Sequence, residues 1–272
     1  MIIGDEDVLP FLKWPGGKRW LIPMLNQVLS KIEYNNYFEP FLGGASVFFS
    51  LVNKSACLSD SNSDLINLYQ VVKEFPHEII SKIKEMPIDK DNYYQIRNSS
   101  PTDSIDKAAR LLYLNRTAFG GMYRVNKLGR FNVPYGGRST DILWEKNLVL
   151  NASNKLSHCQ LSCRDFSSAF ELAKDGDLIY CDPPYTVSHN TNGFQRYNEN
   201  IFNWNDQIRL KDLCVSASLR GVNVIVSNAA HRSILELYQP LSPIVFSRYS
   251  GLSTNPHKRG LVDEYVFLFK KD

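Results

Sequence analysis

Apolar residues along this chain fall into two alternating patterns. Seven short runs have the length and composition of strands, and several of them are continuous, which is typical of strands buried on both faces. These runs span residues 37–42, 56–59, 160–163, 177–181, 223–227, 244–247 and 265–269. Between the runs apolar residues recur at helical spacing, so that Leu21, Leu25, Val28 and Ile32 share one helix face. The alternation predicts an α/β fold with a mostly parallel sheet.

The alternation of strands and helices stops between residues 74 and 148. Short helices are predicted there, with Ser104 as the cap before a helical face that begins at Ile105. Residues 120–137 follow them and are rich in glycine, asparagine and basic residues, which is typical of a hairpin or an ordered loop. We therefore predict a catalytic domain formed by residues 1–73 and 149–272, and a smaller, mainly helical binding insert formed by residues 74–148.

The composition favours a globular protein over a membrane-spanning or exported one. With 272 residues, 43% of them hydrophobic, the chain can bury one sizeable core. It has no apolar run of about 18 residues and no secretion signal at its start, so we expect neither a membrane span nor export. Its five cysteines have no Cys-x-x-Cys spacing and indicate reduced thiols in a cytoplasmic protein, with no metal site.

Basic residues are concentrated inside the predicted insert. Seven lysines and arginines lie between Lys107 and Arg138, in a stretch without Asp or Glu. The rest of the chain carries 24 basic and 28 acidic residues, so the modest net charge of +3 hides a basic island on an acidic body. Such an island is typical of a surface that binds a polyanion. The alternative is a solvated face, although ordinary solvated faces mix both signs of charge.

The sharpest chemical motif is Asp182-Pro183-Pro184-Tyr185, directly after the predicted strand at 177–181. Proline fixes φ and removes backbone donors, so the turn holds its groups in one geometry. The ends of parallel strands are also where open α/β sheets bind ligands. The Asp182 carboxylate and a prolyl carbonyl only accept hydrogen bonds, which suits an NH2 group as the partner. The aromatic ring of Tyr185 can stack on a planar base.

The Asp-Pro-Pro-Tyr motif resembles the catalytic signature of amino-methyltransferases, and the chain is similar to the Dam-type adenine-N6 DNA methyltransferases. The resemblance covers nearly the whole chain and rests on several motifs in the family's order. It implies a Rossmann-like, doubly wound methyltransferase domain, with S-adenosyl-L-methionine as the cofactor and double-stranded DNA as the partner. It also implies that Asp182, Pro183, Pro184 and Tyr185 form the catalytic motif. We expect a monomer in solution that associates with the nucleoid when it binds DNA.

Two glycine turns carry the cofactor part of the resemblance, one at residues 14–18 and one at residues 39–44. Paired glycines permit close backbone approach to a ligand, and a glycine turn between a strand and a helix is a general nucleotide-binding device. An acidic residue at the end of the second strand can bind both ribose hydroxyls. By resemblance, the residues that contact the cofactor are Trp14, Lys18, Phe41, Gly43, Asp60, Asp165, Phe166 and Asp182.

The insert carries the DNA part of the resemblance. Arg124 lies where the family uses an arginine to bind a guanine edge, and Phe119 lies where an aromatic residue can wedge into the base stack. The predicted DNA-binding residues are Arg116, Phe119, Met122, Arg124, Asn126, Lys127, Arg130, Asn132, Pro134, Lys258 and Arg259. The family's enteric members have Asn in place of Gly120 and Leu in place of Met122, so the recognition sequence, including GATC, is left open.

The predicted function is transfer of a methyl group to the N6 amine of an adenine that has left the duplex stack. Two alternatives stay open at this point. The first is a methyltransferase with another acceptor, such as cytosine N4, RNA or a protein amide. The second is a non-catalytic DNA-binding protein that kept the fold.

Overall fold

The computed structural model of the protein describes residues 8–126, 128–186, 202–250 and 260–270. It divides into two compact units, and each is considered by itself. The first unit comprises Met1–Arg19 and Leu42–Arg164, and the second comprises Trp20–Phe41 and Asp165–Asp272. The segment 74–148 belongs to the first unit, and its predicted role as a separate recognition insert stays a prediction.

Helices and strands alternate through most of the described residues, which confirms the predicted α/β class. In chain order they are α1 (Ile22–Leu29), β1 (Tyr37–Glu39), α2 (Ser46–Leu51), β2 (Ala56–Asp60), α3 (Ser63–Glu74), α4 (Pro76–Lys84), α5 (Lys90–Asn98), α6 (Ser104–Thr117), a 3-10 turn (Phe119–Gly121), α7 (Ile142–Glu145), α8 (Leu148–Leu156), β3 (Gln160–Cys163), α9 (Ser167–Leu172), β4 (Leu178–Cys181), α10 (Trp204–Leu219), β5 (Asn223–Ala229), α11 (Arg232–Leu237), β6 (Ile244–Ser250) and β7 (Gly260–Phe269).

The first unit contains the parallel pair β2 and β3 and the helices of the 74–148 segment. β2 and β3 end in register, with Asp60 opposite Cys163. Helix α6 packs against α3 and α4. The segment also has a small core of its own, formed by Tyr93, Tyr113, Leu114, Ala118, Phe131 and Val133. This core supports the chain from Phe119 onwards, which carries most of the residues predicted to bind DNA.

The second unit is built on a sheet in the order β1-β4-β5-β7-β6. The pairs β1–β4 and β4–β5 are parallel, whereas β7 runs antiparallel to both β5 and β6. All four residues of β4 are buried, as expected for a continuous apolar run in the middle of a sheet. The parallel strands bring the carboxyl end of β4, where Asp182 follows, beside the end of β5.

Element boundaries differ from the sequence-based expectation where tertiary pairing or capping decides them. Strand β7 begins at Gly260 instead of residue 265, because residues 260–264 also pair with β6. Helix α6 is capped by Asp103 and not by Ser104, since the Asp103 carboxylate accepts from the N–H groups of Ile105 and Asp106. The hairpin predicted in 120–137 is confirmed by the antiparallel bridge between Val125 and Phe131.

Three further findings concern the described residues as a set. All five cysteines are free thiols, as predicted. Within the described ranges no group of three or more His, Cys, Asp or Glu side chains is arranged to hold a metal ion. In that same part of the chain, every helix is too short or too polar to cross a membrane.

Candidate functional site

In the first unit, Asp60 holds the glycine turn at residues 42–44 in place. The Gly43 N–H donates to Oδ2 of Asp60 at 3.0 Å, and the Asn62 N–H donates to Oδ1 at 2.9 Å. Burial raises the pKa of Asp60, while these backbone donors oppose the rise. An ionised carboxylate offers about four lone-pair positions, so two backbone bonds leave capacity for a pair of hydroxyl donors. The position and chemistry of Asp60 therefore suit the predicted ribose contact.

Trp14 packs directly on the glycine turn. A Cβ atom at Gly43 would lie 2.9 Å from Cδ1 of Trp14, and one at Gly44 would lie 2.9 Å from its Cβ. Gly43 also has a φ of +47°, a conformation that favours glycine. The indole in turn stacks on Tyr123, with ring centroids 4.8 Å apart and an interplanar angle of 23°. Trp14 thus contacts both the predicted cofactor turn and the hairpin of the 74–148 segment.

Lys18 closes the N-terminal turn as a buried cation. Its side chain is 3% exposed, and Nζ donates to the carbonyl of Gly16 at 3.1 Å. The same N-terminal segment is tied to α6, because Lys13 N–H donates to Oδ1 of Asn115 at 3.0 Å and Asn115 Nδ2 donates back to the Lys13 carbonyl. A buried ammonium in a fixed turn is suited to binding a carboxylate.

The hairpin at residues 124–132 is organised by two asparagines. Oδ1 of Asn126 accepts from the N–H groups of Leu128 and Arg130, so this side chain closes the turn. Oδ1 of Asn132 accepts from Nε of Arg124 at 2.8 Å, and the Asn132 carbonyl accepts from Nη2 at 3.3 Å. Asn132 therefore holds one edge of the Arg124 guanidinium in an exposed position on the hairpin.

The rest of the predicted DNA-binding set within the described residues comprises exposed apolar groups, the exposed Arg130 and one buried cation. Phe119 is 60% exposed and Met122 is 37% exposed, while the Pro134 carbonyl accepts from the Phe119 N–H at 2.9 Å. Arg116 is buried, and its Nε has no hydrogen-bond partner within the described residues. Burial, followed by the nearby charge of Arg19, lowers the pKa of Arg116 to about 10. A buried arginine beside a second positive charge favours the binding of an anion.

Not every basic residue of the island is available to a ligand. Nε of Arg110 donates to the carbonyl of Ile96 at 2.9 Å, and Nη2 donates to the carbonyl of Arg97, so Arg110 caps the end of α5. Three predicted DNA-binding residues, Lys127, Lys258 and Arg259, lie outside the described residues.

In the second unit, the Asp182–Tyr185 motif follows β4 and is held from the neighbouring strands. Oγ of Ser227, in β5, donates to Oδ1 of Asp182 at 3.1 Å. The Tyr185 hydroxyl is hydrogen-bonded to Glu264 of β7; burial, and then the charges of Asp182 and Glu264, raise the pKa of this phenol well above its usual value. Tyr185 therefore stays protonated at neutral pH, and Asp182 has a defined orientation.

The segment after the motif is pinned to α10 and β5 by buried polar contacts. Thr186 Oγ1 donates to the carbonyl of Phe202 at 2.6 Å, and its own carbonyl accepts from Nε2 of Gln207 at 3.3 Å. Oε1 of Gln207 then accepts from Nδ2 of Asn228 at 3.0 Å. These side chains are almost fully buried. Thr186, directly after the motif, is therefore held in a fixed position.

An aromatic cluster lies at the end of β1 and the start of α9. Phe41 stacks on Phe166, with centroids 5.1 Å apart at 26°, and the edge of Phe202 meets Phe41 at 5.5 Å. Arg209 covers Phe166, with Cζ 4.1 Å from the ring centroid. Nη1 and Nη2 of Arg209 donate to the two oxygens of Asp165 at 3.0 and 2.8 Å. Together the bonds to Asp165 outweigh its partial burial and lower its pKa.

Three residues of the site were not predicted from the sequence: Arg209, Ser227 and Glu264. The one available signal for Ser227 was a polar residue at the end of an otherwise apolar strand; Arg209 and Glu264 had no comparable signal. Of the predicted cofactor residues, the first unit carries Trp14, Lys18, Gly43 and Asp60, and the second unit carries Phe41, Asp165, Phe166 and Asp182.

Comparisons with known proteins find one matching family and several similar chains. A family model described as D12 class N6 adenine-specific DNA methyltransferase matches residues 14–251. The chain is 36% identical over 269 residues to Type II methyltransferase M1.LlaDCHI of Lactococcus lactis subsp. cremoris, and the aligned region covers 94% of each chain. It is 33% identical to Type II methyltransferase M.MjaIII of Methanocaldococcus jannaschii, over 94% of this chain and 98% of that one. It is 34% identical to a DNA adenine methylase of Vibrio cholerae, over 95% of each chain.

Proposed function

Because this chain belongs to the D12 class N6 adenine-specific DNA methyltransferases, we propose that Asp182 and Tyr185 are its catalytic residues and S-adenosyl-L-methionine its methyl donor. Its reaction is methylation of adenine at N6 in DNA. None of the comparisons supports another acceptor or a non-catalytic protein. The observation that carries the residue assignment is the Asp182 carboxylate held by Ser227 directly after β4, in a motif whose Tyr185 hydroxyl is hydrogen-bonded to Glu264 of β7.

The residues present fit the proposed methyl donor. Asp60 supplies oriented acceptors for ribose hydroxyls, and the Gly43 turn permits close approach of a ligand. Lys18 supplies a buried cation for a carboxylate, and the stacked rings of Phe41 and Phe166 supply an apolar surface for an adenine. Trp14, Asp165 and Asp182 complete the proposed set. When bound, this cofactor supplies a methyl group made electrophilic by its sulfonium, so the reaction requires no metal.

The proposed DNA surface is the hairpin of the 74–148 segment. Arg124 would bind a base edge, because a guanidinium pairs bidentately with guanine. The hydrogen bond that Arg124 donates to Asn132 orients the guanidinium for that contact. The exposed ring of Phe119 would enter the base stack, with Met122 and Pro134 beside it. Arg116, Asn126, Lys127 and Arg130 would bind phosphates, as would Lys258 and Arg259. Double-stranded DNA is the proposed substrate, acted on by a monomer in the cytoplasm.

The proposed catalysis depends on how the enzyme orients the adenine amine. The adenine N6 lone pair is delocalised into the ring, so the amine is a poor nucleophile. The Asp182 carboxylate and the Pro183 carbonyl accept hydrogen bonds from the two N–H groups of this amine. These bonds bias the nitrogen toward a tetrahedral shape. The same contacts aim the lone pair at the methyl group. Tyr185 stacks on the base once it has left the duplex, and Pro184 keeps the turn rigid.

The experiment is a methyl-transfer assay with tritiated cofactor and duplex DNA. Asp182→Ala is expected to abolish most transfer while leaving cofactor and DNA affinity largely intact, because the contacts matter most in the transition state. Asp212→Ala, an exposed carboxylate on α10, is the matched control and should transfer normally. Substantial turnover by Asp182→Ala at saturating substrates would overturn the assignment. Mapping the modified adenines on a plasmid from a methylation-free host would then define the target sequence.

A further inference from the structure

The Ser227 hydroxyl that holds Asp182 is itself joined to a second buried hydroxyl, that of Tyr180. Tyr180, in β4, is 1% exposed, and Ser227, in β5, is 0% exposed. Their oxygen atoms are 3.0 Å apart, and Oγ of Ser227 is 3.1 Å from Oδ1 of Asp182. The parallel pairing of β4 with β5 brings these side chains together, although 45 residues separate Ser227 from Asp182.

The direction of the two hydrogen bonds follows from the protons available. An ionised carboxylate only accepts, so Ser227 donates its single proton to Asp182. The contact between Tyr180 and Ser227 must then be donated by the tyrosine. Burial, and next the charge of Asp182, raise the pKa of Tyr180 well above its usual value, so the phenol keeps its proton. The bonds therefore run one way, from Tyr180 to Ser227 and from Ser227 to Asp182.

Packing alone does not account for this arrangement. Burying a hydroxyl costs free energy unless it is hydrogen-bonded, and a Phe with an Ala would fill a similar volume without that cost. The two hydroxyls are instead joined in a chain that ends on the carboxylate of the proposed catalytic residue. A charge-assisted hydrogen bond is directional and roughly twice as strong as a neutral one, so it restricts rotation of the carboxylate.

We propose that Tyr180 and Ser227 are positioning residues that act as one unit through Asp182. Their chain of hydrogen bonds fixes the rotation of the Asp182 carboxylate, so that it meets the adenine amine at the angle the reaction requires. The inference rests on the proposed catalytic role of Asp182. Because the two hydroxyls act through the Asp182 carboxylate, their removal is expected to slow the chemical step and leave binding unchanged.

The test is a double-mutant cycle measured as single-turnover methyl transfer with enzyme in excess, which isolates chemistry from product release. Ser227→Ala is expected to slow the chemical step by about 10- to 100-fold, the scale of a misplaced catalytic group. Tyr180→Phe should slow it less. The double variant should be no slower than Ser227→Ala, because the tyrosine acts only through the serine. The KM for DNA and the Kd for sinefungin should match the wild type throughout.

Ser153→Ala is the matched control for Ser227→Ala, because it removes a buried hydroxyl that donates to the carbonyl of Lys73, at a residue with no proposed catalytic or binding role. It should lower thermal stability to a similar extent as Ser227→Ala and leave the chemical step unchanged. Losses that multiply in the double variant would overturn the proposal, since they would mean that the two residues act independently. A wild-type rate in Ser227→Ala, with Asp182→Ala inactive, would also overturn it while leaving the proposed function intact. An active Asp182→Ala would instead remove the proposed function itself.

Discussion

The guanidinium of Arg209 lies over the ring of Phe166, with Cζ 4.1 Å from the ring centroid. Phe166 also stacks on Phe41, and Arg209 is anchored by two bonds to Asp165, the residue before Phe166. The ring is thus held by an ion pair formed with its own neighbour in the chain. This arrangement makes Arg209 a positioning residue for the proposed adenine surface.

Arg209→Ala is expected to weaken binding of S-adenosylhomocysteine about 2- to 5-fold, because it removes a cation–π contact worth roughly 0.5–1 kcal/mol at a partly exposed site. Titration calorimetry measures the change. Lys211→Ala, on the same helix and bonded to Asp212, is the control and should bind normally. Unchanged affinity in Arg209→Ala would show that Phe166 does not depend on Arg209.

Asp60→Ala is expected to weaken cofactor binding by roughly 1–3 kcal/mol, the cost of leaving polar groups without partners. Part of that loss would come from the Gly43 turn, whose N–H donates to the Asp60 carboxylate. Calorimetry with the cofactor checks it, and DNA binding without cofactor should change little. Asn62→Ala removes only the cap of α3 and should lower thermal stability without this loss of affinity. Wild-type affinity in Asp60→Ala would contradict the ribose assignment.

The affinity for DNA should fall steeply as salt rises, because a basic hairpin bound to phosphates releases counterions in proportion to its contacts. Arg130→Ala should reduce the slope of log affinity against log salt by about 1, the value expected for one lost phosphate contact. Fluorescence anisotropy with a labelled duplex measures both slopes. Binding that stays flat between low and physiological salt would mean that the DNA docks elsewhere.

Arg124→Ala is expected to lose about 1–3 kcal/mol at one base pair only, so it should methylate cognate DNA slowly and accept substitutions at that position. Arg130→Ala should weaken all sequences alike, because phosphate contacts carry no direct sequence information. The measurement is the methylation rate of each variant on duplexes with every single-base change in the mapped site. If Arg124→Ala lost activity equally on all duplexes, it would be another phosphate contact.

Sequence patterns predicted the features that are local in the chain. The α/β class, the hairpin and the position of Asp182 directly after β4 all follow from periodicity and turn chemistry over a few residues. The partners of the site residues were not predictable in this way. Ser227 acquires its role only when β5 pairs with β4, and Arg209 acquires its role only when α10 brings it to Asp165, 44 residues away.

Asn126 shows a different limit of sequence patterns. Its place in the basic hairpin predicted a DNA contact. In the structure, its side-chain oxygen Oδ1 accepts hydrogen bonds from two backbone N–H groups of the turn. Asparagine serves both purposes equally well, so composition cannot separate them. Nδ2 of Asn126 is the group through which a phosphate contact would be made.

Trp14 has a consequence for how the two ligands of this enzyme influence each other. Its indole packs on Gly43 and Gly44, beside the proposed cofactor site, and stacks on Tyr123, one residue before Arg124. A ligand that shifts the indole at the turn therefore shifts the base of the hairpin as well. Thermodynamic linkage requires such an influence to be reciprocal: the factor by which cofactor changes the affinity for DNA equals the factor by which DNA changes the affinity for cofactor. One tryptophan side chain would set the size of that shared factor.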